Sequence, residues 1–261
     1  MVIVGCGNMG GAMLAGWLAG GLDPASVTVV DPVLASVPEG VTLLRDAGEA
    51  ASGEALLLGV KPQMLDELAP GLAHLAGGAA TVLSILAGVE LATLVRLFPD
   101  AAGHVRIMPN LAAAIGKSPV ALAASGLGED VRTQVAHLME PLGTPLWIGE
   151  SLFDAVTALT GSGPAFVYRF IDALAGAATD LGLEAGQACV LALAMTEGAA
   201  LLAASSLHAP GELADRVASP GGTTRAGLDV LDRDGALARL VAATLQAAAD
   251  RSAEMAGVSA G

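Results

Sequence analysis

The sequence predicts an α/β fold: a doubly wound, mostly parallel sheet over residues 1–150, followed by an all-helical domain over 151–261. Three observations carry this. Through residue 149, short β-branched or aliphatic runs alternate with amphipathic stretches, the rhythm of strands joined by crossover helices. After Gly149 no strand pattern recurs, and long helical periodicities take over. The first apolar run passes directly into Gly5-Cys6-Gly7-Asn8-Met9-Gly10, a glycine loop that opens a helix.

In chain order, the runs Met1–Val4, Val27–Asp31, Ala55–Val60, Ala80–Ile85, His104–Met108, Val120–Ala123 and Leu146–Ile148 predict strands. Gly11–Ala19, Gln63–Leu75, Leu91–Phe98 and Glu129–Glu140 predict the helices that cover the sheet. Beyond the boundary, helical periodicity spans 154–181, 184–206 and 235–256, with shorter stretches at 211–217 and 224–233. No Pro/Gly/Ser linker marks the boundary, so the last strand is expected to hand over directly to a helix.

Composition removes several classes of function. With 12 Lys and Arg against 26 Asp and Glu, the formal charge is −14, and the chain lacks the clustered cations that nucleic acid requires. The mean hydropathy of +0.65 is high. Even so, glycine, proline and charge interrupt the apolar runs before the roughly 18 residues of a membrane span. The alanine-rich 185–204 segment comes nearest and reads as a buried helix at a subunit interface. The opening Met-Val-Ile-Val-Gly has no basic n-region, so a cytoplasmic location is expected. Two cysteines, Cys6 and Cys189, support neither a metal site nor a disulfide framework. The four histidines, His74, His104, His137 and His208, read as surface residues.

The chemistry-bearing motifs sit at strand ends and in one late loop. In the first loop, Gly5 allows the tight turn, Gly7 lets backbone meet a pyrophosphate, and Gly10 lets helix pack on strand, with Asn8 and Met9 between. Asp31 ends the second strand 21 residues after Gly10, where a carboxylate takes ribose hydroxyls; no Arg or Lys follows until Arg45, so NAD(H) is favoured over NADP(H). Val60-Lys61-Pro62 and Met108-Pro109-Asn110 close two further strands at the same rim. Lys61 is either a ligand contact or a solvated surface residue, and Asn110 is a candidate donor to a nicotinamide or substrate edge. Ser219-Pro220-Gly221-Gly222-Thr223-Thr224 reads alone as a Thr-capped turn between helices, or as a cradle for an anion.

Together with Thr160-Gly161-Ser162-Gly163-Pro164-Ala165-Phe166, these motifs, in this order along the whole chain, resemble pyrroline-5-carboxylate reductase. The resemblance implies a Rossmann-type sheet followed by an all-helical dimerisation domain, a homodimer or higher assembly up to a decamer, and substrate sites shared between subunits. It implies reduction of L-1-pyrroline-5-carboxylate to L-proline with NAD(P)H, the last step of proline biosynthesis. Gly5, Gly7, Asn8, Met9, Gly10, Asp31, Val60, Lys61, Pro62, Met108 and Asn110 would then bind the dinucleotide, and no metal is called for. Ser219, Gly221, Gly222 and Thr223, with Asn110, would hold the substrate, and Thr224 would serve as the catalytic hydrogen-bond donor at the ring nitrogen.

Two positions depart from the family pattern: Leu111-Ala112 replaces the usual Thr-Pro, and Leu207-His208-Ala209 stands where an acidic residue is common. A β-hydroxyacid dehydrogenase is disfavoured because no lysine occurs beyond Lys117. The alternatives are a related cyclic imine reductase and a non-catalytic dinucleotide-binding dimer.

Overall fold

The computed structural model describes residues 1–259. Its eight strands are β1 (Val2–Val4), β2 (Thr28–Val30), β3 (Thr42–Leu44), β4 (Ala55–Leu58), β5 (Thr81–Ser84), β6 (Gly103–Met108), β7 (Ser118–Ser125) and β8 (Gly143–Trp147). They form one sheet in the order β3-β2-β1-β4-β5-β6-β7-β8. All neighbours are parallel except β6 and β7, so the expected Rossmann-type, mostly parallel sheet is present. Short strands suffice because side-chain alternation feeds two cores. Val2, Val4, Leu56, Leu58 and Val82 enter one cluster, while Ile3, Leu57 and Leu83 enter the other.

Helices cover both faces, as a buried parallel sheet requires. α1 (Asn8–Ala19) supplies Met13, Leu14 and Trp17 to the second cluster. α2 (Leu65–Ala76) and α3 (Leu91–Leu97) supply Leu72, Leu75 and Leu94 to the first, and α4 (Glu129–Met139) returns Val135 and Met139 to the second. Two expectations are corrected here. β3 was not anticipated, and His104 is not a surface residue: it is buried in a strand covered on both faces, with Nε2 2.9 Å from the Phe98 carbonyl oxygen.

The single helix expected over 154–181 is broken. α5 (Phe153–Val156) runs into a π-helical turn at Thr157–Gly161, and α6 (Gly163–Asp180) starts afresh with Pro164 in its first turn. Contacts divide the chain there. One compact unit is Met1–Gly161 with the chain end from Ala248, and the other is Ser162–Ala247, where a boundary at 150/151 had been expected. The second unit contains α6, α7 (Ala185–Ser205), α8 (Pro210–Arg216), α9 (Thr223–Asp232) and the first half of α10 (Ala236–Ser259). It has almost no core of its own: α7 buries Ala188 and Ala192 but exposes Val190, Leu191, Leu193, Met195, Leu201 and Leu202. By length and composition α7 is apolar enough to cross a membrane, contrary to the expectation that no run reaches that limit, and only 6% of that window is buried.

Candidate functional site

The parallel strands β1, β4, β5 and β6 end on one edge, and the strand order reverses beside β1, where ligands bind in doubly wound sheets. Gly5 sits at φ +82°, and a Cβ there would lie 2.8 Å from the Gly59 carbonyl carbon and the Val60 nitrogen. The first loop and the Val60-Lys61-Pro62 turn therefore abut through bare backbone. A Cβ on Gly10 would come within 3.0 Å of the Gly5 carbonyl oxygen, which keeps α1 tight against its own strand. At Gly7 nothing lies within 4 Å of a would-be Cβ. Gly7 is also the N-cap of α1, without a side-chain cap and with no acidic residue in the first turn. These free N–H groups at an open helix start fit a dinucleotide pyrophosphate.

Asp31 has a structural part that the sequence did not signal. Only 7% exposed, it accepts from the Cys6 N–H through Oδ2 (3.0 Å) and from the Val33 and Leu34 N–H groups through Oδ1 (3.0 and 2.9 Å). Burial pushes the carboxyl pKa up, but those three amides, with the Arg45 charge nearby, hold it below the ordinary Asp value, so it stays ionised. Burial of Cys6, with the Asp31 charge beside it, pushes that thiol up and favours its protonated form. The carboxylate thus holds the glycine loop and its own turn, with Oδ2 accepting only the Cys6 N–H. Arg45 is also nearer than sequence distance suggested. Its Nη1 donates to the carbonyls of Asp31 (2.8 Å) and Leu34 (2.6 Å), because β3 pairs with β2.

Of the other rim residues, Lys61 is exposed at the N-cap of a short turn begun by Pro62, and Val60 is half-buried against the first core. Met108 and Asn110 are buried. The Asn110 amide is engaged within the chain: Oδ1 accepts from the Ala112 N–H (2.9 Å), and Nδ2 donates to the Thr160 carbonyl (3.0 Å). One of the two Nδ2 hydrogens is thereby used within the chain, and the other remains for a nicotinamide or substrate edge. Its backbone N–H is held by the buried Ser118 Oγ at 2.9 Å. A cleft of about 290 Å³ lined by Leu91, Arg132, Trp147 and Glu150 includes none of these residues.

In the helical unit, Ser219–Thr224 joins α8 to α9. Gly221 takes φ +71° with open space where a Cβ would be, and the Gly222 N–H donates to the Ser219 carbonyl at 2.9 Å. Gly222 is the N-cap of α9, and no side chain caps it, so the loop is not the Thr-capped turn that its sequence allowed. Ser219, Gly221, Thr223 and Thr224 are exposed, and the Thr224 hydroxyl has no hydrogen bond among the described residues. Arg225 Nη2 donates to Asp215 Oδ1 at 2.8 Å and ties α9 to α8 behind the loop, a brace that the sequence motif did not signal. Among the described residues, no group of three or more His, Cys, Asp or Glu side chains is placed to hold a metal.

Comparison with known proteins adds independent findings. Residues 150–255 match the family described as pyrroline-5-carboxylate reductase dimerisation, and residues 1–88 match that described as NADP oxidoreductase, coenzyme F420-dependent. The pyrroline-5-carboxylate reductase of Synechocystis sp. is 42% identical over 214 residues, covering 80% of this chain and 78% of that protein. That of Methanosarcina acetivorans is 34% identical over 261 residues, covering 97% and 96%. The solved structure of a pyrroline-5-carboxylate reductase from Coxiella burnetii superposes with a TM-score of 0.91 at 28% identity, covering 97% of each chain.

Proposed function

The chain belongs to the pyrroline-5-carboxylate reductase family, and on that premise we propose that it reduces L-1-pyrroline-5-carboxylate to L-proline with a nicotinamide dinucleotide. The observation that carries the substrate reading is the Ser219–Thr224 loop, where a left-handed Gly221 and an uncapped α9 leave backbone N–H groups for an anion. When bound, the reduced dinucleotide supplies hydride to the carbon of the cyclic C=N. The protein's part is placement. The amides of Gly221 and Thr223, with Ser219, hold the substrate carboxylate in a chain whose net charge would otherwise repel it, while Gly222 takes part by closing the loop on the Ser219 carbonyl instead of offering its N–H as the sequence led us to expect. The exposed Thr224 hydroxyl lies one residue on and orients the ring nitrogen, which enters as the protonated C=N, keeps the π electron pair when the carbon is reduced, and gains a second proton from water to give the ring ammonium of proline. Holding the two reactants in register accounts for most of the rate.

Dinucleotide binding falls to Gly5, Gly7, Asn8, Met9 and Gly10 at the start of α1, with Asp31, Val60, Lys61, Pro62, Met108 and Asn110 along the rim. NADH is the proposed preferred donor, on changed grounds. The ionised Asp31 acts by charge, since a 2′-phosphate at the end of β2 would face it. Arg45 opposes that bias, so Arg45→Ala is expected to weaken NADPH binding about tenfold more than NADH binding, the loss of one charge-assisted contact. Equal loss for both dinucleotides would remove Arg45 from the choice. Self-association follows from the dimerisation region; a homodimer, with dimers assembling further up to a decamer, is proposed to cover α7, and the cytoplasm is the proposed compartment.

The deciding experiment follows dinucleotide oxidation with pyrroline-5-carboxylate and, in parallel, with 1-pyrroline lacking the carboxylate. Turnover only of the carboxylated ring is expected. Equal use of both rings would make the protein a general imine reductase, and no turnover of either would leave a dinucleotide-binding dimer without chemistry.

A further inference from the structure

Packing holds the Ser219–Thr224 loop very little. From residue 215 to 225 only Ala218 is buried within the chain, so burial does not fix the path from α8 to α9. Backbone bonds tighten each half: the Ala218 N–H donates to the Asp215 carbonyl (3.1 Å) and the Gly222 N–H to the Ser219 carbonyl (2.9 Å). Between them Gly221 stands at φ +71° with nothing within 4 Å of a would-be Cβ. The Ala226 N–H donates to the Gly222 carbonyl (3.1 Å) as the first helical bond of α9, so the amides of Thr223, Thr224 and Arg225 lack partners in the helix. Where these amides point depends on how the start of α9 is set against the end of α8. A side-chain contact spans that junction: Arg225, the third residue of α9, donates from Nη2 to Oδ1 of Asp215, in the last turn of α8, at 2.8 Å. With side chains 34% and 71% exposed, such a pair contributes little to stability, and its consequence is for geometry.

From this geometry we propose that Arg225 is a positioning residue for the substrate carboxylate: by bridging to Asp215 it fixes the start of α9 against the end of α8 and so sets the aim of the Gly221 and Thr223 N–H groups. The bridge joins residues 10 apart and closes the loop into a ring, a restraint that a glycine turn does not supply by itself. Arg225 also offsets Asp215, Asp229 and Asp232, whose carboxylates all favour its charged form and would otherwise repel an anion at these amides. Because the bridge lies wholly within the helical unit of one chain, it acts on the carboxylate whichever subunit supplies the dinucleotide. This rests on the proposed function for its effect on the substrate, and not for the bridge itself.

The test uses the full chain carrying Arg225→Ala, Asp215→Ala, both together, and Arg225→Lys. Asp215→Ala discriminates, since it deletes a negative charge beside an anion's site: an effect of charge alone would lower KM for pyrroline-5-carboxylate, whereas loss of the bridge raises it. KM is expected to rise about tenfold in Asp215→Ala and in Arg225→Ala, with kcat and the NADH Kd within about threefold of the parent. The double variant should be no worse than Arg225→Ala, because both changes remove one contact. Arg225→Lys keeps the charge and a donor, and its KM should stay within about threefold of the parent. Amide hydrogen exchange over 219–225 should quicken about threefold in both Ala variants, while the melting temperature holds within about 2 °C. A lowered or unchanged KM in Asp215→Ala would overturn the bridge, as would losses that multiply in the double variant. A parent that does not reduce pyrroline-5-carboxylate would sink the proposed reaction instead. Exchange over 219–225 would then decide alone: quickening in Asp215→Ala upholds the bridge, and unchanged exchange overturns it.

Discussion

The sheet unit finishes its own interior, and the helical unit does not. Every strand through β6 sends alternate residues into two closed cores, with Ile3, Leu57 and Leu83 fully buried. Over a similar length of apolar sequence, α7 leaves Leu191 57% and Leu202 70% exposed. Apolar area of that extent marks a surface that something covers, and α7 lies inside residues 150–255, which match the family described as pyrroline-5-carboxylate reductase dimerisation. The difference teaches that hydrophobic content reports how much is buried, not within which molecule.

The largest effect expected from this contrast comes from Leu191→Asp. In an isolated chain a change at a half-exposed position is nearly silent, within about 0.5 kcal/mol. In a dimer it buries an unpaired charge, and sedimentation should show monomers with turnover lost, while NADH binding by the sheet unit survives. Retained dimers would break the comparison. Leu57→Ala is the matching change in the other unit; it should cost about 2–5 kcal/mol at any protein concentration, because its core is made within one chain.

Next in size is Thr224→Ala. Removing one donor aimed at the reacting nitrogen should lower kcat about 10²-fold and leave the NADH Kd unchanged, measured by steady-state kinetics and fluorescence titration. An unchanged kcat would take Thr224 out of the reaction. At the sheet unit's glycine loop the expected effect is smaller and falls on the other ligand. Gly7→Ala meets no protein atom within 4 Å, so the melting temperature should hold while NADH binding weakens about tenfold. A variant that binds NADH normally would mean that the pyrophosphate does not approach Gly7.

The two units were also unequally legible. Strand alternation and the glycine spacing gave the sheet's order of elements, because periodicity and turn chemistry are local. Arg45 escaped because its place depends on β3, three residues after a glycine turn with a mixed exposure pattern, too short to carry a period. His104 looked like a surface residue because a strand covered on both faces has no polar side by which to sort it. The Asn110–Thr160 hydrogen bond spans 50 residues, and no spacing rule reaches that far. In the helical unit, Ser219–Thr224 stood out by composition, but whether a side chain capped α9 was a question of geometry that Thr223 and Thr224 left open.

The smallest expected effect sharpens the sheet side of the comparison, because it concerns a charge that the unit uses on itself. The Asp31 pKa is depressed in the fold: burial raises it, and the amides of Cys6, Val33 and Leu34 more than offset the rise. A depressed carboxyl stabilises the native state above its unfolded value of about 4, and that contribution is lost as pH falls through the lower folded value. Thermal melts between about pH 3 and pH 7 should therefore show an acid limb that flattens in Asp31→Asn. The helical unit offers a control, since Asp215 pairs with Arg225 on an exposed surface where an ion pair contributes little, and Asp215→Asn should leave that limb in place. If the two substitutions flatten it equally, the acid sensitivity belongs to the net charge of the chain and not to the carboxylate that holds the glycine loop.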